Sequence, residues 1–437
     1  MKLPKEPPLI KNEVERFDNL VNIMNKYRDN KEFTDLVKKY NEKYFYWEEI
    51  LHRDVPKNIL KEDIWAFMKF QRLRESKNIN IGKYEFSFNL TNQHLKKLHE
   101  FDLNLGGNLT NEELIPSEDK DKFLISSIIE ESINSSKLEG ASTTIDVAKN
   151  MILNNKKPKD KSQRMILNNY LAMKEILRLK GEKLTPQILL NLHKIVTNNT
   201  LDTNEYEGKF RNSNEIKIVD KLSGEIFHTP PNSEELNHLI SEFCDFYNNE
   251  QEYFIHPIVK ANILHFLFGF IHPFYDGNGR CARCIFFLFL ISKNYWLFEY
   301  LSISRIIIKS PSQYAKSFLY TELDDNDLTY FIEYKIKKIE LAFTELKQYI
   351  HKKLNEKKNS TKFLKFEGIT QRQAEILEIY ENNKHKIFSV LEISKRFGIT
   401  KQTARSDLQN LSRIGFLIEK KSGNKVLFLM NKDFNYQ

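Results

Sequence analysis

Residues 261–291 read ANILHFLFGFIHPFYDGNGRCARCIFFLFLI, two apolar runs separated by the twelve-residue string His272 to Arg283. The run before the string and the run CIFFLFLI after it are each far shorter than the roughly 20 residues a membrane span needs. Both are apolar all round, which is the pattern of helices buried in a large core. A chain built this way must hold the loop between them inside the protein.

The rest of the sequence is arranged around that pair. From about 120 to 350 the apolar spacing is that of successive amphipathic helices, so the fold class is mainly α. One stretch departs from it. Between Asn214 and Pro231 the pattern becomes Ile216, Ile218 and Val219, then Lys-Leu-Ser-Gly, then Ile226 and Phe227, a small β-hairpin closed by Pro230 and Pro231. Upstream, Glu13 to Arg74 has helical spacing with Leu20, Ile23, Phe33, Leu36, Tyr40, Tyr44 and Trp47 on the apolar side. Tyr84 to Leu114 opens on the alternating YEFSFN and contains a Gly106-Gly107 turn.

A long charged helix over about 328–358 runs into EKKNSTK, which has the composition of a linker. Beyond it, helices are expected over 369–380, 390–397 and 401–414. Strands follow over 416–420 and 425–430, joined at Ser422-Gly423-Asn424. Three helices and a hairpin in that order describe a winged helix-turn-helix. The expected organisation is an N-terminal helical unit (1–110), a helical core (111–350), a linker (351–368) and the winged helix-turn-helix (369–437).

Composition narrows the setting. The chain has 437 residues, 41% hydrophobic and 29% charged, with Cys244, Cys281 and Cys284 as its only cysteines. That excludes a disulfide framework and fits a reducing cytoplasm. The N-terminus lacks the apolar core of a signal peptide, and no membrane partner is expected. A net charge of +8 permits an acidic partner without demanding one.

Each residue type in the central string suits a nucleotide polyphosphate. Gly277 and Gly279 let backbone amides approach phosphate oxygens, at what would be the anion-favouring N-terminus of the next helix. Arg280 and Arg283 lie one turn apart, so both guanidinium groups can reach one anion. Asp276 is a hard oxygen ligand suited to Mg²⁺. His272 titrates in the range required to take a proton from an attacking hydroxyl.

The string HPFYDGNGRCAR resembles the Fic motif HxFx(D/E)GNGRxxR at every defined position, and the flanking sequence over roughly 110–345 is similar to Fic proteins. The resemblance implies a Fic-type helical core that transfers AMP from ATP to a Ser, Thr or Tyr hydroxyl of a target protein. It makes His272 the general base, Phe274 an apolar anchor and Asp276 the Mg²⁺ ligand. Gly277, Asn278 and Gly279 would hold the α- and β-phosphates, and Arg280 and Arg283 the outer ones. Gly279 stands where a phosphorylating branch of the family has Lys.

Ser135-Ser-Lys-Leu-Glu139-Gly140 resembles the family's inhibitory motif (S/T)xxxE(G/N), which implies that Glu139 pairs with Arg283. The hairpin at about 215–229 would be the flap that holds a target segment by strand addition. Cys281 and Cys284 have the spacing of a CxxC pair but read as buried helix, and His193, His256 and His265 as core or capping residues.

In the C-terminal unit Thr400 is placed to cap the third helix, with Lys401, Gln402, Thr403 and Arg405 at its exposed start. Arg413, Lys420, Lys421 and Lys425 would meet phosphates of duplex DNA, while Asp407 and Glu419 dilute that face. Protein docking is the alternative use of such a module. For the whole chain, a DNA-binding regulator that senses nucleotide and an enzyme that removes AMP stay open beside the transferase, as does a homodimer.

Overall fold

In the computed structural model, which describes residues 2–8, 13–106, 115, 120–220, 223–381, 387–422 and 425–431, the helical spacing near the N-terminus becomes four helices. These are α1 (Glu13–Lys26), α2 (Lys31–Glu42), α3 (Trp47–Leu51) and α4 (Lys61–Glu75). Ile23, Phe33, Tyr40, Tyr44 and Trp47 are buried together with Ile64, Trp65 and Met68, as their spacing requires. Two strands follow, β1 (Lys77–Ile81) and β2 (Tyr84–Phe88), antiparallel from Lys77↔Phe88 to Ile81↔Tyr84. Only β2 was signalled by alternation. Its partner KNINI carries apolar side chains just at Ile79 and Ile81, the two that are buried.

The core is built from α5 (Asn92–Phe101), α6 (Lys120–Leu138), α7 (Ile145–Leu153), α8 (Lys161–Arg178) and α9 (Pro186–Thr197). Gly106 ends a π-helical turn, Asp102–Gly106, rather than opening a tight turn, and Gly107 lies outside the described residues. Helix starts are chemically marked. Thr144, Asp160 and Thr185 each accept a hydrogen bond from the backbone N–H three residues on, satisfying a donor that the first turn would leave unpaired.

After the hairpin β3 (Ile218–Val219) and β4 (Ile226–His228) come α10 (Leu236–Asn248), α11 (Pro257–Ile271) and α12 (Asn278–Ser292). Then follow α13 (Ile303–Ile307), α14 (Pro311–Leu323) and α15 (Thr329–Thr361). Helices α11 and α12 are the innermost, buried on nearly every face. Gly269 lets the Phe318 ring close on α11, since a Cβ there would stand 2.9 Å from the ring.

Packing separates two units, Met1–Thr344 and Glu345–Gln437. The N-terminal helices belong to the first because buried polar contacts tie them to its core. Arg72 of α4 donates to Asn41 Oδ1 at 2.9 Å, to the Phe45 carbonyl at 3.0 Å and to Tyr330 Oη of α15 at 2.7 Å. Lys69 pairs with Asp324 at 2.8 Å. The stretch 351–368, expected as a linker, is helical to Thr361 and continues as a 3₁₀ turn, Lys362–Lys365. Its lysines and glutamate are good helix formers, and no Pro or Gly interrupts them before Gly368.

The second unit contains α16 (Gln371–Glu381), β5 (Ile387–Ser389), α17 (Val390–Phe397), α18 (Lys401–Ile414), β6 (Leu417–Ser422) and β7 (Lys425–Met430). The sheet order is β5-β7-β6, and β5 is a strand too short to leave a periodic signal. Gly398 and Gly415, at φ of 64° and 102°, end α17 and α18 in the left-handed conformation that glycine adopts without a Cβ penalty. The turn residues Gly423 and Asn424 lie outside the described residues. The fold is mainly α, with a winged helix-turn-helix at its C-terminal end.

Candidate active site

Helix α11 ends on a residue that rarely adopts the conformation it needs. His272 is left-handed at φ 47° and ψ 59°, which costs a non-glycine residue on the order of 1–2 kcal/mol. Arg211 holds it there. Its Nε donates to the His272 carbonyl at 2.9 Å, its backbone N–H to Pro273 O at 2.9 Å, and its Nη2 to the Pro231 carbonyl. The imidazole is oriented by its own helix: Nδ1 lies 3.2 Å from Gly269 O, which can only accept, so Nδ1 carries the proton. Nε2 is then the ring atom with a lone pair. Burial lowers the imidazole to about 4, so it is neutral near pH 7 and able to accept a proton.

Beyond His272 the loop is pinned from both sides. Phe274 is fully buried, stacked on His193 at 3.7 Å and on Phe210 at 5.3 Å. The Asn278 side chain bridges the Phe274 backbone, accepting from its N–H at 3.0 Å and donating to its carbonyl at 2.8 Å. Asn278 therefore shapes the loop, and its amide is committed within it. His193 Nδ1 accepts from the Gly208 N–H at 3.0 Å, so Nε2 carries the proton and donates to Asp276 O at 2.9 Å. Burial lowers His193 to about 4, in keeping with that single neutral tautomer. Gly277, at φ 85°, approaches α9 so closely that a Cβ would lie 2.9 Å from Thr197 Cγ2.

His193 and Arg211 are thus working parts of the site. His193 is buried, as its reading as a core or capping residue expects, but nothing in the sequence singles out either residue for the loop.

The two arginines of α12 occupy different states. Arg280 is fully buried and donates from Nη1 to Val196 O at 3.1 Å. Its Nε and Nη2 make no hydrogen bond among the described residues, and Nη2 stands 3.5 Å from Asp276 Oδ1. Donors left this way at a helix N-terminus are prepared for an anion. Arg283 is already engaged, through Nε to Ser135 Oγ at 2.7 Å and through Nη2 to Ser135 O at 3.0 Å and Glu139 Oε1 at 2.7 Å.

Glu139 follows the last residue of α6, and Gly140, at φ 95°, turns the chain away. Burial opposes the charge of Glu139, yet Arg283 and Arg280 hold its carboxyl below the usual range. Its Oε1 lies over Gly279, 2.2 Å from where a Cβ would be, so a side chain at 279 would collide with it.

Asp276 is exposed, with one oxygen accepting the Gly277 N–H at 2.5 Å. Among the described residues no group of three or more His, Cys, Asp or Glu side chains could hold a metal. A single exposed carboxylate would nonetheless suit Mg²⁺ if nucleotide phosphates and water supplied the other oxygens. Cys281 and Cys284 are buried, and burial pushes both thiols up, Cys284 to about 12, which leaves them unreactive.

The hairpin β3–β4 is antiparallel and carries exposed Val219 and Ile226. His228 fastens it next to the loop, with Nε2 2.7 Å from Phe270 O and Nδ1 2.6 Å from Glu322. No described helix is long and apolar enough to cross a membrane.

In the second unit Thr400 caps α18, accepting from the Thr403 N–H at 3.1 Å. Lys401, Gln402 and Arg405 are exposed on that helix, Thr403 is half-buried, and Lys420 and Lys421 are exposed on β6. Asp407 does not dilute this face. It is buried, ion-paired with Arg372 at 2.5 Å and bonded to Gln373 at 3.1 Å, because it lies one turn after buried Ala404 on the side facing α16. Glu419 remains exposed.

Comparison with known proteins finds similarity in two stretches of the chain. Residues 183–290 match the Fic/DOC family, and residues 372–424 match an HTH domain. A protein adenylyltransferase Fic of Drosophila willistoni is 34% identical over 132 residues, covering 30% of this chain and 24% of that protein. Its counterpart in Culex quinquefasciatus is 38% identical over 68 residues, 16% and 14% of the respective chains. The chain thus spans about a quarter or less of the length of these curated relatives. A solved Fic family protein from Desulfovibrio desulfuricans aligns with TM-score 0.48 and 18% identity over 78% of this chain and 96% of that one.

Proposed function

We propose that this chain, which carries a Fic/DOC-family domain and a C-terminal HTH domain, moves AMP from Mg-ATP to a Ser, Thr or Tyr hydroxyl of a target protein, and that Glu139 holds it in an inhibited state. The observation that carries the reading is the contrast at the start of α12. Among the described residues two buried donors of Arg280 have no hydrogen bond, while Arg283 is occupied by a carboxylate where a phosphate would lie.

In this reading the polyphosphate rests on the backbone of Gly277 to Gly279 and on Arg280. His272 Nε2 accepts the proton of the target hydroxyl, whose oxygen attacks the α-phosphorus as the bond to the β-phosphate breaks and pyrophosphate leaves. Mg²⁺, when bound through Asp276 and the phosphates, supplies charge neutralisation of the leaving group. The flap offers Val219 and Ile226 to a target segment beside His272. Labelled ATP incubated with a lysate, followed by mass spectrometry of labelled proteins, tests the reading. AMP on a protein hydroxyl is expected, and the absence of any protein adduct from an uninhibited variant would reject it. Asp276→Ala should raise the Mg²⁺ concentration needed for half-maximal transfer and lower the rate at saturation; an unchanged Mg²⁺ titration would remove Asp276 from the metal role.

The exposed face of α18 supports a second activity, binding of duplex DNA. With Asp407 turned inward, Lys401, Gln402 and Arg405 stand in a stripe suited to the major groove, and Lys420 and Lys421 to phosphates of the flanking backbone. The full chain should bind duplex DNA with an affinity that falls steeply with salt. Lys420→Ala with Lys421→Ala should lower the slope of log affinity against log salt by about 2. Arg405→Ala should mainly blunt sequence preference. No binding at low salt to any member of a large duplex pool would favour protein docking.

A further inference from the structure

Behind Arg283 lies a line of buried and half-buried polar groups that the transfer reaction does not use. Tyr314 of α14 faces Arg283 and the Glu139 carboxylate. Its hydroxyl is 2.8 Å from Nε2 of His265 on α11, and Nδ1 of that ring is 3.4 Å from Nζ of Lys335 on α15. Lys335 and His265 are buried completely or nearly so. Lys335 lies 4.0 Å from the centre of the Phe286 ring, with Glu131 of α6 and Arg283 of α12 as the other charges acting on it.

With Lys335 as an ammonium, the donors in this line run in one direction. A lysine ammonium can only donate, so His265 Nδ1 accepts. Burial, with Lys335 and Arg283 adding to it, holds His265 well below its usual range, so the ring carries one proton, and that proton is on Nε2. Nε2–H then donates to the Tyr314 oxygen. Having accepted on that side, the tyrosine directs its own hydrogen away from His265. Beside it stand Arg283, which can only donate, and the charge of Glu139, so that hydrogen faces the anion position at Arg283.

We infer that Tyr314 is a second ligand for the outer phosphate at Arg283, aimed at it by a donor chain through Lys335 and His265. The inference rests on the proposed nucleotide site. It explains why a lysine is buried behind that site at all, since an enclosed ammonium is costly unless its donors are used. Burial lowers Lys335 to about 7, and a polyphosphate arriving at Arg283 raises it again, so binding itself secures the donating state. When a phosphate takes the place of the Glu139 carboxylate at Arg283, the Tyr314 hydroxyl can donate to one of its oxygens.

Calorimetric titration of ATP and AMP into Glu139→Gly, with and without Tyr314→Phe, tests this. Loss of one hydrogen bond to a charged oxygen should weaken ATP roughly tenfold or more while leaving AMP, which does not reach Arg283, unchanged. Lys335→Met should weaken ATP in the same direction, and the Tyr314→Phe, Lys335→Met double variant should be no weaker than Tyr314→Phe alone, since the lysine acts only through the tyrosine. Equal effects on ATP and AMP, or none on ATP, would overturn the ligand role of Tyr314. Additive losses in the double variant would overturn the donor chain. If Lys335→Met fails to fold, the ATP-to-AMP ratio of Tyr314→Phe decides. ATP that does not bind the Glu139→Gly parent at all would overturn the proposed nucleotide site together with this inference.

Discussion

Glu139→Gly is expected to raise AMP incorporation on the order of a hundredfold over the unaltered chain. In the structure Glu139 Oε1 sits 2.7 Å from Arg283 Nη2 and directly over Gly279, so one carboxylate occupies both a guanidinium and the glycine face beside it. ATP could still reach Arg280 and the loop backbone, but its outer phosphate would be displaced and the α-phosphorus turned out of line with the attacking hydroxyl. A misalignment of that kind acts on rate more than on affinity, so binding should change less than turnover. Adding Arg283→Ala should cancel most of the gain, because the two residues act as a pair. Equal incorporation by the unaltered and Glu139→Gly chains would mean that Ser135 to Gly140 is only the end of α6.

His272→Ala in the Glu139→Gly chain should lower incorporation by about 10² to 10⁴ while ATP still binds. The loop should survive the change, since Arg211 grips the 272 carbonyl and Asn278 braces Phe274, and neither contact uses the imidazole. The same residue sets an expectation for pH. With His272 held down to about 4, the base is deprotonated throughout the neutral range. At saturating ATP the rate of the Glu139→Gly chain should not rise through an inflection near the ordinary histidine value, and should fall only as pH drops towards the lowered one. An inflection near 6.5, the unperturbed histidine value, would contradict an imidazole held at that lowered value. Retention of full activity by His272→Ala would remove it as the base.

The parts of this site that the sequence revealed are those whose chemistry is contiguous. His272 to Arg283 could be read because base, carboxylate, glycines and arginines all fall in one string, and because apolar helices on either side placed that string inside the protein. The contacts that hold the loop could not be read. His193 lies on α9 and Arg211 in the polar segment after it, and they reach the loop only through the fold, so nothing local to either marks its role. Asn278 was legible by type, but its use on the Phe274 backbone depends on a turn that spacing does not encode.

At the level of the fold, amphipathic spacing was a sufficient guide to the helices. It failed where the pattern was short or polar. The strands β1 and β5 carry too few apolar positions to alternate visibly. The stretch EKKNSTK is as hydrophilic as a linker yet helical, because it contains no residue that stops a helix. Asp407 departs from expectation for a related reason: a charge on α18 is expected to face solvent, whereas half-buried Arg372 and buried Gln373 of α16 provide partners for it.

The central claim is that the chain transfers the α-phosphoryl group of ATP to protein and is restrained by Glu139. It is tested most directly by giving the unaltered chain, Glu139→Gly, and Glu139→Gly with His272→Ala the same lysate with ATP labelled either at the α- or at the γ-phosphate. Protein-bound α-label should be low in the first, high in the second and lost in the third, while γ-label from the kinases of the lysate should be the same in all three. A γ-label that rises with the second chain, or α-label that is the same in all three, would contradict the account.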